Sequence, residues 1–345
     1  MNLLKKTCIS VIIPCRNEEK YISGCLKSIQ DFIIPINIEV EILIVDGKSM
    51  DKTVSIVNDF IRNDKRIRLF NNPNIYQANA MNIGINHSNG DWIMRLDAHT
   101  IYPKTYMKDL FNTAIRENVD NCGGRIITLP GANSYSALLV QALTTHPFGV
   151  GDSSFRTNAK AGEVDTVPFG FFKRKIFDKI GLFNEKLVRA QDYEFNRRIL
   201  KFGYKVWMNP DIHCTYYNQS SLFYFYKKQI FKEAPYNAYM WFIAPYTFAY
   251  RHAITGVFAL GIIGGVFLSS FFSLIKIIFV SMLILYFSLS MFSSFQQMIR
   301  FKKYTYMLSL PFCFFLFHFL HGLGVLTGLL RIFTRTAPFQ KNHKS

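Results

Sequence analysis

The sequence predicts an α/β domain built on a mostly parallel mixed sheet, followed by helices that cross a membrane. Residues 8–97 alternate short, continuously apolar runs with amphipathic ones. That alternation marks buried strands joined by helices that cover both faces of a sheet. Polar clusters sit at the ends of the apolar runs, where open α/β sheets bind their ligands. Beyond residue 250 the composition changes to long stretches without Asp, Glu, Lys or Arg.

Taken in order, CISVIIP (residues 8–14) reads as the first strand and Glu18 to Ile29 as the first helix. VEILIVD (40–46) is the second strand and Asp51 to Asn63 the second helix. RIRLF (66–70) is the third strand, Ala78 to Asn86 the third helix, and DWIMRLD (91–97) the fourth strand. The polar residues that follow these strands are PCRNEE, DGKSMDKT and DAHT. The first turn has no GxGxxG and the chain has no P-loop, so phosphate must be handled in another way, with a metal ion the simplest.

Just before the apolar half, residues 219–252 interleave aromatic side chains with Lys227, Lys228, Lys232 and Arg251. Rings beside basic groups suit the headgroup layer, although an ordinary aromatic core segment has the same composition. Ala253 to Ile275 and Ile277 to Phe295 carry no charged residue, with Lys276 between them. Each is near the roughly 20 residues a helix needs to cross a bilayer. They are expected to form a hairpin turning near Ser273–Lys276. Arg300, Lys302 and Lys303 then mark a cytoplasmic loop by the positive-inside rule. A third run, 304–330, fits either one crossing or a re-entrant hairpin. The expected organisation is an α/β domain over 1–218, a membrane-interface segment over 219–252, transmembrane helices over 253–335 and a basic tail over 336–345.

The chain's formal net charge of +17 points to an anionic partner: nucleic acid, anionic lipid or a phosphorylated substrate. No basic-aromatic module of a nucleic-acid binder is present, and membrane runs would make little sense in one, so no nucleic acid is expected. The six cysteines form no CxxC pair, which argues against zinc and for small buried fillers in a reducing compartment. The N-terminus reaches charged residues too soon for a signal peptide, so the first domain is expected to stay in the cytoplasm.

DAHT places Asp97 and His99 two residues apart, on one side of an extended backbone. A carboxylate oxygen and an imidazole nitrogen suit Mn²⁺ or Mg²⁺, with diphosphate oxygens completing the shell. Taken alone, Asp97 as a helix cap and His99 as a loop residue fit equally well. The motif has company, however. SVIIPCRNEEKYISGCLKSI, EILIVDGKSMDKT, NAMNIGINHSNGDWIMRLDAH and GLFNEKLVRAQDYEFNRRILKFGYKVW occur in that order. This set resembles family 2 glycosyltransferases of the GT-A fold. FGVGDSSFR, VDTVPFG and VRAQDYEFNRRI narrow the resemblance to the succinoglycan-biosynthesis branch, membrane-attached enzymes that add a sugar to a lipid-linked oligosaccharide.

The resemblance implies a GT-A domain for nucleotide-diphospho-sugars and roles for particular residues. Pro14, Arg16, Asn17 and Glu18 match the loop that meets the nucleoside, and Asp46 the aspartate that contacts the base. Asp97 matches the metal-binding aspartate, with His99 in place of the commoner second aspartate. Asp192 matches the catalytic base, although as a residue it also suits a helix N-cap. Gln191 replaces the acidic neighbour often found beside that base. Gly149, Gly151 and Arg156 belong either to a mobile acceptor loop or to a plain turn. Arg198 is expected to pair with Glu194 on its own helix, and His146 to lie on the surface. The processive-synthase motif Gln-x-x-Arg-Trp is missing, which implies addition of a single sugar. The implied activity is inverting transfer from a nucleotide-sugar donor, a UDP-sugar, to a lipid-linked acceptor of the polyprenyl diphosphate type. The implied location is an inner or plasma membrane, multi-pass, with the catalytic domain cytoplasmic. The alternative is a membrane-anchored scaffold or inactive sugar-nucleotide-binding protein that keeps the fold.

Overall fold

The computed structural model describes residues 6–157 and 160–343. The first five residues of the expected 1–218 domain, residues 158–159 within it, and the last two of the basic tail lie outside the described residues. The strands are β1 (Thr7–Cys15), β2 (Ile38–Asp46), β3 (Ile67–Asn71), β4 (Trp92–Arg95), β5 (Thr100–Ile101), β6 (Asn121–Leu129), β7 (Gly162–Glu163), β8 (Phe171–Lys173) and β9 (Val206–Tyr217). The helices are α1 (Ile22–Gln30), α2 (Thr53–Asn63), α3 (Gln77–Asn86), α4 (Tyr106–Arg116), α5 (Tyr135–Thr144), α6 (Pro147–Val150), α7 (Ser154–Thr157), α8 (Lys175–Ile180), α9 (Gln191–Lys201), α10 (Leu222–Lys228), α11 (Ala234–Ile243), α12 (Tyr250–Leu268), α13 (Ser273–Phe301) and α14 (Tyr306–Phe333). The chain packs as two units, residues 6–127 with 160–217 and residues 128–157 with 218–343.

The first unit is organised by one mixed sheet, in the order β3-β2-β1-β4-β8-β6-β9-β5 with β7 paired to β9. Its first four strands are parallel, with Cys15 opposite Asp46, Asp46 opposite Asn71, and Ile12 opposite Arg95. That register brings the carboxyl ends of β1, β2 and β4 to one edge, where PCRNEE, DGKSMDKT and DAHT begin. From β8 onward the pairing is antiparallel. The expected strands and helices of residues 8–97 are all present. The first helix starts four residues later than its pattern suggested, because Asn17 takes a left-handed conformation (φ 55) and the Glu18 carbonyl accepts the N–H groups of Tyr21 and Ile22. Glu18 is therefore a loop residue.

Two packing features hold the helices that matter for the site. α3 lies close against β1, since a Cβ on Gly84 would come within 2.5 Å of Ile12 Cγ2. α9 is anchored by Phe195, whose ring stacks on Phe183 at 4.4 Å and on Phe177 at 5.1 Å between centroids. On the same helix Arg198 grips the buried Glu194 through two bonds of 2.9 and 2.8 Å and donates to the carbonyls of Ile180 and Leu182. This is the expected pair. With all three of its nitrogens donating, its role is structural. The six cysteines are free thiols and five are buried. Burial pushes the Cys25 and Cys122 thiols far above their ordinary range, which leaves them inert fillers.

The second unit is helical. α12, α13 and α14 are each long and apolar enough to cross a membrane. The chain turns at Ser269–Phe272, and Lys276 falls inside the first turn of α13. A lysine at that place can extend its amine toward water while its stem stays with the helix, so a charge does not mark the turn. The third apolar run is one continuous helix, α14. Most of α13 exposes apolar side chains all round, while Ser290, Ser293, Ser294 and Gln297 make a buried polar stripe at its C-terminal end. Residues 222–243 run along α14. Tyr226 Oη donates to the Cys313 carbonyl at 2.9 Å, and Gly324 and Gly328 let Ile230 and Pro235 approach the α14 backbone. Between α10 and α11 lies a π-turn, Gln229–Glu233, closed by Ala234 N–H to the Gln229 carbonyl. Pro235 follows and has no N–H to continue a regular ladder. His146 is not a free surface group: its Nδ1 accepts Phe148 N–H at 3.0 Å and its Nε2 pairs with Gln296 at 2.8 Å.

Gly84→Val should force α3 off β1 and lower stability by about 2 kcal/mol. The drop in unfolding temperature of the full chain measures it, and an unchanged midpoint would contradict the close packing.

Candidate active site

All eight residues singled out as site candidates lie in the first unit, at the carboxyl ends of β1 and β2, on the loops that leave that edge of the sheet or at the start of α9. The loop after β1 and the loop after β2 are tied to each other. Asn17 N–H donates to Ser49 Oγ at 2.8 Å, and Asn17 Oδ1 accepts Met50 N–H at 2.8 Å. Glu18 N–H donates to Thr53 Oγ1 at 2.7 Å. The left-handed turn at Asn17 makes this crossing possible, and asparagine tolerates it better than most residues. Arg16 is exposed beside it, and Pro14 is the penultimate residue of β1. Asp46 is buried and accepts Ser49 N–H at 3.0 Å and Ser49 Oγ–H at 2.5 Å. Its carboxylate thus sets the shape of its own loop.

His99 and Glu18 meet: His99 Nδ1 lies 3.1 Å from Glu18 Oε1, and the imidazole is flanked by Tyr21 and Tyr216 at 6.4 and 5.8 Å. The first loop and DAHT therefore share one side of the cleft. Asp97 takes part in a different set. Its Oδ1 accepts from Arg95 at 3.2 Å and from Gln77 Nε2 at 3.3 Å, while its N–H donates to Tyr102 Oη at 2.8 Å.

Arg95 joins the two carboxylates that the sequence keeps far apart. One guanidinium nitrogen faces Asp97, and another lies 3.6 Å from Asp192 Oδ2. Burial works against the charge on Arg95, but Asp97 first and Asp192 next more than offset it, so the guanidinium holds its proton more firmly than usual. A second bridge runs beside it, with Gln191 Nε2 donating to Gln77 Oε1 at 2.5 Å and Gln77 donating to Asp97. Asp192 occupies the second position of α9. The N-cap is Ala190, in a left-handed conformation (φ 60), and Asp192 Oδ1 receives the Tyr193 N–H at 2.9 Å. An acid in the first turn is favoured by the helix dipole. Its side chain is 43% exposed, unlike that of Arg95 beside it.

Sequence reasoning passed over Arg95 and Gln77. A signal for the first was present: an arginine inside an apolar strand must be paired, and Asp97 is two residues on, on the same side. Gln77 carried no comparable signal, because its partner Gln191 is 114 positions away.

No group of three or more His, Cys, Asp or Glu arranged to hold a metal ion occurs among the described residues. The donor set at DAHT still fits one kind of ion. Asp97 and His99 offer one hard oxygen and one imidazole nitrogen, which suits Mn²⁺ or Mg²⁺ that keeps the rest of its shell from water and a substrate's phosphates.

Comparison with known proteins bears on this geometry. The family model for Glycosyl transferase family 2 matches residues 10–181. A dolichyl N-acetyl-alpha-D-glucosaminyl phosphate 3-beta-D-2,3-diacetamido-2,3-dideoxy-beta-D-glucuronosyltransferase of Methanococcus voltae is 30% identical over 335 residues, 94% of this chain and 97% of the relative. The succinoglycan biosynthesis protein ExoA of Rhizobium meliloti is 27% identical over 221 residues, 64% of this chain and 66% of the relative. Among solved structures, the mannosyltransferase PcManGT of Pyrobaculum calidifontis, in complex with GDP-Man and Mn²⁺, is similar with a TM-score of 0.64 at 16% identity, over 95% of this chain and 88% of that one. At that identity the likeness concerns the fold, which is of the GT-A type.

Arg95→Met leaves two carboxylates without their shared cation. The change should destabilise the chain by about 3 kcal/mol, the low end for a broken buried pair because Asp192 can regain water. Gln77→Ala should cost about 1 kcal/mol. Thermal unfolding of the two variants tests the order; equal midpoints would mean that Arg95 does not hold the cluster.

Proposed function

The chain belongs to glycosyl transferase family 2, and on that premise we propose that it is an inverting transferase. It moves one sugar from a nucleotide-diphosphate donor, a UDP-sugar, to a lipid-linked saccharide of the polyprenyl diphosphate type, in the synthesis of an extracellular polysaccharide or glycan. One observation carries the reading most. The Arg95 guanidinium ties Asp97, on the donor side, to Asp192, in the position of a base. The Methanococcus voltae relative, named for a transfer to a dolichyl-phosphate-linked sugar, supports the choice of acceptor.

In this reading the loop Pro14, Arg16, Asn17 and Glu18 receives the nucleoside, with Asp46 shaping the neighbouring loop against the base. Asp97 and His99 would hold Mn²⁺ or Mg²⁺, which offsets negative charge on the leaving diphosphate. Arg95 and Gln77 orient Asp97 from behind. Asp192 takes the proton from the acceptor hydroxyl, and the hydroxyl oxygen bonds to the anomeric carbon. The bond from that carbon to the diphosphate breaks on the opposite face, and the diphosphate leaves with the electron pair. The configuration inverts, and no protein nucleophile forms a bond. In this reading the three long apolar helices span the membrane and the chain is multi-pass. The basic stretch Arg300–Lys303, at the C-terminal end of the second of them, marks the cytoplasmic side in this reading, where the transferase unit also lies.

Asp192→Asn should leave donor binding intact and reduce transfer by roughly 10²–10⁴-fold. Release of UDP in membranes supplied with lipid-linked acceptor measures it, and near wild-type turnover would remove the base assignment. Asp97→Ala should abolish Mn²⁺-dependent nucleotide binding by titration calorimetry; binding that persists unchanged would exclude the metal role.

A further inference from the structure

The second unit contains a cavity of about 630 Å³ that the chemistry above does not use. It lies between α6, α12 and α14, with Tyr286 of α13 closing one side. Its walls are aromatic: Phe148, Phe258, Tyr286 and Phe317. Phe258 and Tyr286 stack at 4.7 Å, and Phe148 meets His318 at 5.2 Å between ring centroids. Its polar lining consists largely of bases. Arg156, Arg251, His252, His318 and His321 face it, and no Asp or Glu is among the described residues that line it. The volume and the mixture of apolar wall with few polar groups are those of a small-molecule site.

Placement gives these polar groups meaning. Histidines and arginines among helices that cross a membrane are costly and mark a ligand path. Two of the histidines are oriented by hydroxyls, His318 by Tyr286 Oη at 2.8 Å and His321 by Thr255 Oγ1 at 2.9 Å. Arg251 and His252 stand in the first turn of α12, where the helix dipole favours an anion. Arg251 already grips an anion there: its Nη1 lies 2.7 Å from Asp152 Oδ1. Asp152 has a side chain 79% exposed, so a phosphate oxygen can take its place while the carboxylate returns to water. Asp152 and Arg156 belong to FGVGDSSFR, the stretch that the sequence left as either an acceptor loop or a plain turn.

We infer that this cavity seats a prenyl-type lipid phosphate, with the phosphate at Arg251 and Arg156 and the hydrocarbon chain along Phe148, Phe258 and Phe317. The guanidinium fork matches a phosphate's oxygens, and the aromatic wall matches a hydrocarbon. The identity of the occupant rests on the transferase reading, for which this is the lipid that carries the acceptor sugar.

The test uses the full chain in detergent micelles and four probes, scored by native mass spectrometry. These are a long-chain prenyl phosphate, the same prenol without phosphate, phosphatidylglycerol and inorganic phosphate. Wild type should bind the prenyl phosphate, and the other three at least about tenfold more weakly. Arg251→Gln and Arg156→Gln should each weaken the prenyl phosphate by about tenfold or more, with UDP-sugar binding unchanged. If Arg251→Gln lowers the unfolding temperature, Arg156→Gln, outside the spanning helices, decides. Unaltered lipid binding in a folded variant overturns the inference. So does phosphatidylglycerol binding as tightly as the prenyl phosphate, which would make the cavity a seat for bulk lipid. A wild-type chain that binds no UDP-sugar sinks the transferase reading instead, and leaves the cavity to be judged on the lipid series.

Discussion

A buried guanidinium between two carboxylates is the constraint on which the rest of the site depends. Arg95 sits in a strand enclosed on both sides and cannot lie there as a charge without partners. Asp97 is supplied by its own strand end. Asp192 is supplied by a helix that reaches the sheet only because β8 pairs antiparallel to β4 and the Phe177, Phe183 and Phe195 rings lock α9 in place. The requirement to neutralise one cation and the placing of Asp192 beside Asp97 are thus the same arrangement. The Gln77–Gln191 bridge repeats the link with neutral groups, and so holds the distance without adding charge.

Most of the parallel half of the sheet was legible because its strands are short apolar runs with turn residues at fixed places. The local helix pair Arg198–Glu194 was legible for the same reason, since four-residue spacing is visible in sequence. The limits have equally physical causes. Glu18 reads as helical by composition, yet the left-handed turn at Asn17 puts it in the loop, where it meets His99. Asp97 and His99 were read as facing one point. In the structure their recorded partners differ, Arg95 and Gln77 for the one and Glu18 for the other. The bridge from Arg95 to Asp192 depends on contacts between distant segments, which no periodicity encodes. In the apolar half, an uncharged stretch predicts that a helix exists but not where it turns, so Lys276 proved a poor boundary.

The second unit shows how apolar helices tolerate polar groups. The serines and Gln297 of α13 bond to backbone carbonyls, Gln297 to that of Ala142, Ser294 to that of Ser290 and Ser293 to that of Leu289. Such groups are satisfied within the protein and ask for no ligand. Arg156 and Arg251 are different in kind, because they carry full charge and line open space. Hydropathy alone treats both sets as interruptions; packing separates the structural from the chemical.

The π-turn at Gln229–Glu233 is in effect one surplus residue fixed inside an otherwise regular rod. Each residue in such a rod advances the azimuth by about 100°. Everything after the turn is therefore rotated by that amount from where the preceding pattern would place it. On either side of the turn, Tyr226 and Asn237 both address α14. A chain one residue shorter at this point would regain ideal geometry and turn every later side chain by about 100° against α14.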